Sequence, residues 1–248
     1  LFKATFHLWN LWSVPLRKTS NLPNVKFRVE NLEIGHGDHT VAGPWSFSVS
    51  SGGLNVMRGP NGCGKSTFAR TLLGLIPALS GTIQWDVSHH CRWVPQQLPL
   101  TDDFPISVRD IVELGLWDTP DSGSAFKGLK PRYNGSKSMK QKVTEILQRV
   151  GLDGKESRRF ARLSGGEQRR ALIARALVSD AECIVLDEPM NGVDIQGRDS
   201  LGSLISSLAE NPETLFFVIT HDSSWIPVTP RCYLDLTTNG EITLEESC

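Results

Sequence analysis

The stretch Gly59-Pro-Asn-Gly-Cys-Gly-Lys-Ser-Thr67 limits this chain more than any other segment. It satisfies G-x-x-x-x-G-K-[ST], with the apolar run Leu54-Asn-Val-Met57 before it and a helical pattern from Lys65 to Leu75 after it. In that pattern Phe68, Leu72 and Leu75 share one side, and Pro77 stops the helix. A strand that turns into a helix through such a loop presents backbone N–H groups to an anion. Gly59, Gly62 and Gly64 permit the tight backbone angles, with Asn61 and Cys63 inside the turn. The positive end of the helix faces the same ligand. Lys65 supplies a full charge for β and γ phosphates, Ser66 a hydroxyl for Mg²⁺, and Thr67 closes the loop. The reading is a nucleoside triphosphate site with magnesium.

The rest of the chain alternates. Strands are predicted at Val25 to Leu32, Trp45 to Val49, Thr82 to Trp85 and Arg92 to Val94. Helical patterns follow at Ser107 to Leu116 and Lys140 to Val150, separated by an exposed, Gly-, Pro-, Ser- and Lys-rich loop at residues 117 to 137. Roughly residues 98 to 163 thus form a helical insertion. Gly166 to Leu177 and Gln196 to Ala209 read as helices; Cys183-Ile-Val-Leu186 and Leu215-Phe-Phe-Val-Ile219 read as strands covered on both faces, as in a parallel sheet. Cys232 to Leu236, Asn239-Gly240 and Glu241 to Leu244 read as a closing hairpin. The fold class is α/β, with a mainly parallel sheet.

Composition excludes several alternatives. The formal net charge of −1 does not favour a nucleic-acid partner. The local cluster Arg158, Arg159, Arg162, Arg169, Arg170 and Arg175 reads as a solvated helix face. Five cysteines at irregular spacing read as free thiols in a reducing compartment. His89, His90 and Cys91, being consecutive, do not read as a metal site. No apolar run reaches the roughly 18 residues needed to span a bilayer. Residues 1 to 24 carry a Phe2, Phe6 and Trp9 stripe and read as a poorly ordered extension.

Holding a phosphate is not hydrolysing it. The apolar run to Leu186 ends in Asp187-Glu188-Pro189, two carboxylates at the end of a buried strand, which is unfavourable without positive charge nearby. Asp187 is assigned to the metal and Glu188 to the attacking water as general base. His221 follows the apolar run that ends at Thr220. The ends of parallel strands share one edge of a sheet, so His221 is expected to reach the same γ-phosphate.

Between these elements stands Leu163-Ser-Gly-Gly-Glu-Gln-Arg-Arg170. The ordered set GPNGCGKST, VPQ, LSGGEQRR, LDEP, NGVD and TH resembles the ABC ATPase family over residues 25 to about 245. The resemblance implies a P-loop NTPase core at residues 25 to 248, with an N-terminal antiparallel β subdomain and a helical subdomain at about 98 to 180. It also implies a homodimer that sandwiches ATP, each nucleotide lying between one copy's phosphate loop and Ser164, Gly165, Gly166 and Glu167 of the other. Ser164 to Gly166 precede a helix, a second anion-binding terminus that one copy hardly needs for itself. By the same resemblance Gln96 reaches Mg²⁺ and senses the transmembrane partner, and Asp194 belongs to a loop coupling the two sites. His36 stands where an aromatic ring would stack on adenine. Pro227 and Pro230 break what is usually a longer helix after His221.

One ATPase unit, with no long coiled-coil insertion and no fused span, resembles a separate subunit docking on a membrane permease from the cytoplasmic face. The stretch Phe104 to Gly115 and the NGVD motif resemble the group that imports zinc, manganese or chelated iron, which also implies an extracytoplasmic substrate-binding protein. Another cargo, or a soluble assembly ATPase of the iron–sulfur-scaffold kind, are the alternatives.

Overall fold

The structure, a computed structural model, describes residues 13–14, 25–50, 52–85, 91–96, 105–116 and 136–246. Its strands are β1 (Ser13–Val14), β2 (Val25–His36), β3 (His39–Ser50), β4 (Gly53–Arg58), β5 (Ser80–Trp85), β6 (Cys91–Val94), β7 (Cys183–Asp187), β8 (Leu215–Thr220), β9 (Cys232–Leu236) and β10 (Ile242–Glu246). Its α-helices are α1 (Lys65–Leu72), α2 (Val108–Glu113), α3 (Ser136–Arg149), α4 (Gly165–Leu177) and α5 (Ile195–Ala209). Seven strands form one sheet in the order β1-β6-β7-β8-β4-β9-β10, parallel from β6 to β9 and antiparallel at both edges. Three form a second, antiparallel sheet in the order β3-β2-β5.

Every residue of β7 and β8 is buried. Their side chains alternate between two cores, which is why their sequences show no polar–apolar alternation. Ile184, Leu186, Phe216 and Val218 join the core built with the four later helices. Cys183, Val185, Leu215, Phe217 and Ile219 join the core shared with α1 and the antiparallel sheet. Aromatic rings fill the second core: Phe217 meets Phe27 and Phe68 at centroid distances of 5.6 and 6.1 Å, and Trp45 meets Phe68 at 5.7 Å. Trp45 Nε1 satisfies its polarity on Gly240 O at 2.7 Å.

Several elements differ from the sequence expectation. β2 and β3 run longer, because the hairpin turning at Gly37–Asp38 extends past the core and carries His36 outward. α1 ends at Leu72, before Pro77, because Gly74 (φ 68°) takes the left-handed position of a C-terminal motif. Gly74 N donates to Thr71 O and Leu75 N to Arg70 O. Arg169 and Arg175 are buried, unlike the exposed Arg158, Arg159 and Arg162, so the arginine cluster is not one solvated face. Burial pushes the Arg175 guanidinium down to about 9.

Ser13–Val14 pairs with Cys91–Arg92, within the extension expected to be poorly ordered. The remainder of that extension, residues 117 to 135 of the loop expected at 117 to 137, and the pair His89 and His90 lie outside the described residues; the last two residues of that expected loop, 136 and 137, instead begin α3. Among the described residues no group of three or more His, Cys, Asp or Glu could hold a metal, and no helix is long and apolar enough to cross a membrane. Cys63, Cys91, Cys183 and Cys232 are buried and form no disulfide.

Phe217 tests the two-core packing. Phe217→Ala is expected to lower unfolding free energy by about 3–5 kcal/mol in urea titrations. A loss below about 1 kcal/mol would mean that β8 does not carry this ring against Phe27 and Phe68.

Candidate active site

β7, β8 and β4 are neighbours in one parallel run, so their carboxyl ends open side by side. Directly after β4 comes the loop to Lys65, after β7 comes Glu188, and after β8 comes His221. They border a cleft of about 730 Å³, into which β6 also delivers Gln96. Open parallel sheets bind ligands at this edge. Of the residues singled out in the sequence, His36, Asn61, Gly62, Gly64, Lys65, Ser66, Thr67, Gln96, Glu188 and His221 line the cleft. Gly59 and Cys63 stand behind it: Gly59 lends its carbonyl to Lys65, and Cys63 packs into the aromatic core.

α1 is preceded by Gly64 with φ 105°, a conformation in which a side chain is strained, and no side chain caps the helix. Its first-turn N–H groups are therefore available to an anion in the cleft. Lys65 Nζ bonds the carbonyls of Gly59 and Pro60, both at 2.8 Å, and lies 3.9 Å from Glu188 Oε1. Those partners keep a 6 % exposed ammonium at the mouth of the helix. His36 Nε2 lies 3.3 Å from Thr67 Oγ1, tying the hairpin tip to the start of α1.

The two carboxylates of β7 and the residue after it have different surroundings. Ser66 Oγ donates to Asp187 Oδ1 at 3.3 Å. Burial pushes the Asp187 carboxyl up to about 6 against the opposing pull of Ser66, with Glu188 adding to the rise. A cation beside it would oppose that rise by favouring the charged form. The oxygens of Ser66, Asp187 and the Gln96 side chain are a donor set suited to a hard cation such as Mg²⁺.

Glu188 is held from several directions. Its backbone turns into the left-handed region (φ 47°), stabilised by Glu188 N donating to Ile219 O at 2.8 Å. Such a conformation costs roughly 1–3 kcal/mol and clusters at functional sites. Its Oε2 lies 2.9 Å from His221 Nδ1 and accepts from Thr220 Oγ1 at 3.3 Å. At 7 % exposure, the carboxylate is aimed at the cleft by Thr220 at the end of β8 and His221 directly after it.

Ser164, Gly165, Gly166, Glu167 and Asp194 do not border this cleft. They form a second constellation at the amino end of α4. Ser164 caps α4 in a reciprocal box: Glu167 N donates to Ser164 Oγ, and Ser164 N to Glu167 Oε2 at 2.8 Å. Gly165 lies against the turn that leads to Asp194, where a methyl group would overlap Gly192 O. Asp194 caps α5 by accepting from Gly197 N at 2.6 Å.

Arg169, assigned from the sequence to a solvated face, is instead a buried link between the two constellations. It sits on α4, 7 % exposed, and its guanidinium donates to the carbonyls of Pro95 and Gln96 and, at 3.5 Å, to that of Asn191. Burial lowers it to about 10, which leaves it charged at neutral pH. It links the helix of the second constellation to two residues that line the cleft. Its spacing within an apolar helical run, Ala171 to Ala174 following it, was the available signal. Asn191 and Val41 also line the cleft; nothing in their local sequence marked Val41.

Residues 43–191 match the family model described as ABC transporter. The chain belongs to the ABC transporter family. As a member, it is an ATP-binding domain. Among curated relatives, the manganese transport system ATP-binding protein MntB of Halalkalibacterium halodurans is 34% identical over 207 residues, 81% of this chain and 78% of that one. The zinc import ATP-binding protein ZnuC of Vibrio vulnificus is 33% identical over 191 residues, 77% of this chain and 66% of that one. Among solved structures, a transporter assigned to the metal-chelate ABC type, in an inward-facing conformation, superposes with a TM-score of 0.74 at 29% identity. That match covers 90% of this chain and 83% of the other.

Gly165 and Gly166 are expected to behave differently. A methyl group on Gly166 would meet only Val193 Cγ1 at an ordinary 3.5 Å. Gly165→Ala should therefore destabilise the isolated chain by about 2 kcal/mol or more, and Gly166→Ala by less than about 1 kcal/mol. Thermal or urea unfolding measures both, and equal losses would refute the packing of Gly165 on Gly192.

Proposed function

We propose that this chain is the ATP-hydrolysing subunit of an importer for a metal ion or metal chelate, working through a separate membrane permease. The observation that carries the hydrolytic part is the setting of Glu188: buried, aimed by Thr220 and His221, and 3.9 Å from the Lys65 ammonium. In the proposed reaction a water oxygen bonds to the γ-phosphorus as the bond to the ADP oxygen breaks, and Glu188 receives the water proton. Lys65 and the uncapped amino end of α1 offset charge on the phosphates. His221 keeps the Glu188 carboxylate oriented and faces the γ-phosphate. Mg²⁺ bound by Ser66, Gln96 and Asp187 would stabilise the same charge as a Lewis acid. His36, at the hairpin tip beside Thr67, would offer its imidazole face to the base.

The position of Ser164 to Glu167, outside the chain's own cleft, supports a homodimer in which this helix end completes the partner's site. Asp194, on the turn packed against Gly165, would carry the coupling between the two sites. The cargo class rests on the relatives named for manganese transport and zinc import and on the metal-chelate-type transporter. These names favour transport over an assembly ATPase. With no helix among the described residues able to cross a membrane, the subunit would sit peripherally on a permease at the cytoplasmic face. A substrate-binding protein on the far side would deliver the metal.

Glu188→Gln is expected to reduce ATP turnover at least about a hundredfold and to trap an ATP-bound dimer. Phosphate release and sedimentation measure the two effects. Wild-type turnover in the variant would remove Glu188 from the mechanism.

A further inference from the structure

The amino end of α4 contains an electrostatic conflict. Its capping box includes an acid: Glu167 places one carboxylate oxygen on Ser164 N at 2.8 Å, within the first turn. On the two-subunit reading proposed above, the same helix end receives the γ-phosphate of the partner's ATP. A carboxylate and a phosphate then share one positive helix field, and like charges so close repel.

The other oxygen of Glu167 lies 2.5 Å from Lys155 Nζ, twelve residues earlier in the chain. Lys155 is set by its own turn, with Lys155 N donating to Leu152 O at 3.2 Å and Arg158 N to Lys155 O at 3.0 Å. Lys155 and then the Ser164 backbone hold the Glu167 carboxyl below the usual range, so it is ionised at neutral pH. Only a counter-charge can neutralise it there. Meanwhile Gly165 and Gly166, the first two residues of the helix, have N–H groups with no intrahelical acceptor.

We propose that Lys155 is a positioning residue for nucleotide binding: it neutralises Glu167 and holds it on Ser164 N, leaving the Gly165 and Gly166 N–H groups to the partner's phosphate. The inference rests on the two-subunit reading. It makes the acidity of the signature tolerable only while Lys155 is present.

The test uses the Glu188→Gln chain with Mg²⁺ and measures, by sedimentation, the ATP concentration at half-dimerisation. Lys155→Met should raise that concentration roughly tenfold, and Lys155→Arg should return it to within about twofold of the parent. With Glu167→Gln also present, Lys155→Met should shift it less than about twofold, since no acid remains to neutralise. An equal penalty in both backgrounds, in a parent that dimerises, would overturn this role alone and make Lys155 a purely structural contact. A Glu188→Gln parent that stays monomeric in saturating ATP would overturn the two-subunit reading, and this role with it. Thermal unfolding of each variant separates a charge effect from a lost fold, because Lys155 lies at the surface with 30 % of its side chain exposed.

Discussion

Two carboxylates stand next to each other where β7 leaves the core, Asp187 at 3 % and Glu188 at 7 % exposure, and much of the molecule is arranged around that burden. Charges so placed need compensation in fixed positions. Nearby elements supply it: α1, which follows β4, brings Ser66 and Lys65, and β8 ends in Thr220 with His221 directly after it. Adjacent parallel strands are the simplest scaffold for this, because their carboxyl ends emerge at one edge with fixed spacing. The two cores on either side of the sheet keep those ends aligned, one through the aromatic cluster at Phe217, the other through the helices.

The second constellation is organised on a different principle. Ser164 and Glu167 cap each other, and their helix is tied to the cleft from behind by the buried Arg169. Because that guanidinium binds backbone carbonyls, its hold on Gln96 and Asn191 does not depend on what those side chains contact. Arg169 thus ties the capped end of α4 to the backbone of two residues that line the cleft.

The elements that position chemistry were legible because their physics is local. A glycine loop between an apolar run and a helical stripe has few other uses, and a polar Asp-Glu pair after four apolar residues announces a buried charge. Strand order was not legible, since the neighbours β8 and β4 are more than 150 residues apart in the chain and nothing in either names the other. The length of β2 and β3 was missed because His36 to Val41 at the hairpin tip are exposed, while Ile34 and Ala42 enter the core outside any long apolar run. Arg169 was misread because charge pattern alone cannot separate a solvated arginine from one whose donors are satisfied by carbonyls 74 and 73 residues away. The Arg58–Asp235 ion pair, with the Arg58 guanidinium 4.1 Å above Tyr233, was invisible for the same reason.

The contact between Gly165 and Gly192 has an evolutionary side. Because the backbone oxygen of residue 192 fills the space a side chain on Gly165 would need, whatever side chain position 192 carries, position 165 is held to glycine. That restriction operates in a lone molecule, before any nucleotide or second copy arrives. Purifying selection at Gly165 would therefore reflect foldability first, and a comparison of substitution rates at 165 and 166 would divide pressure for folding from pressure for assembly within a single dipeptide.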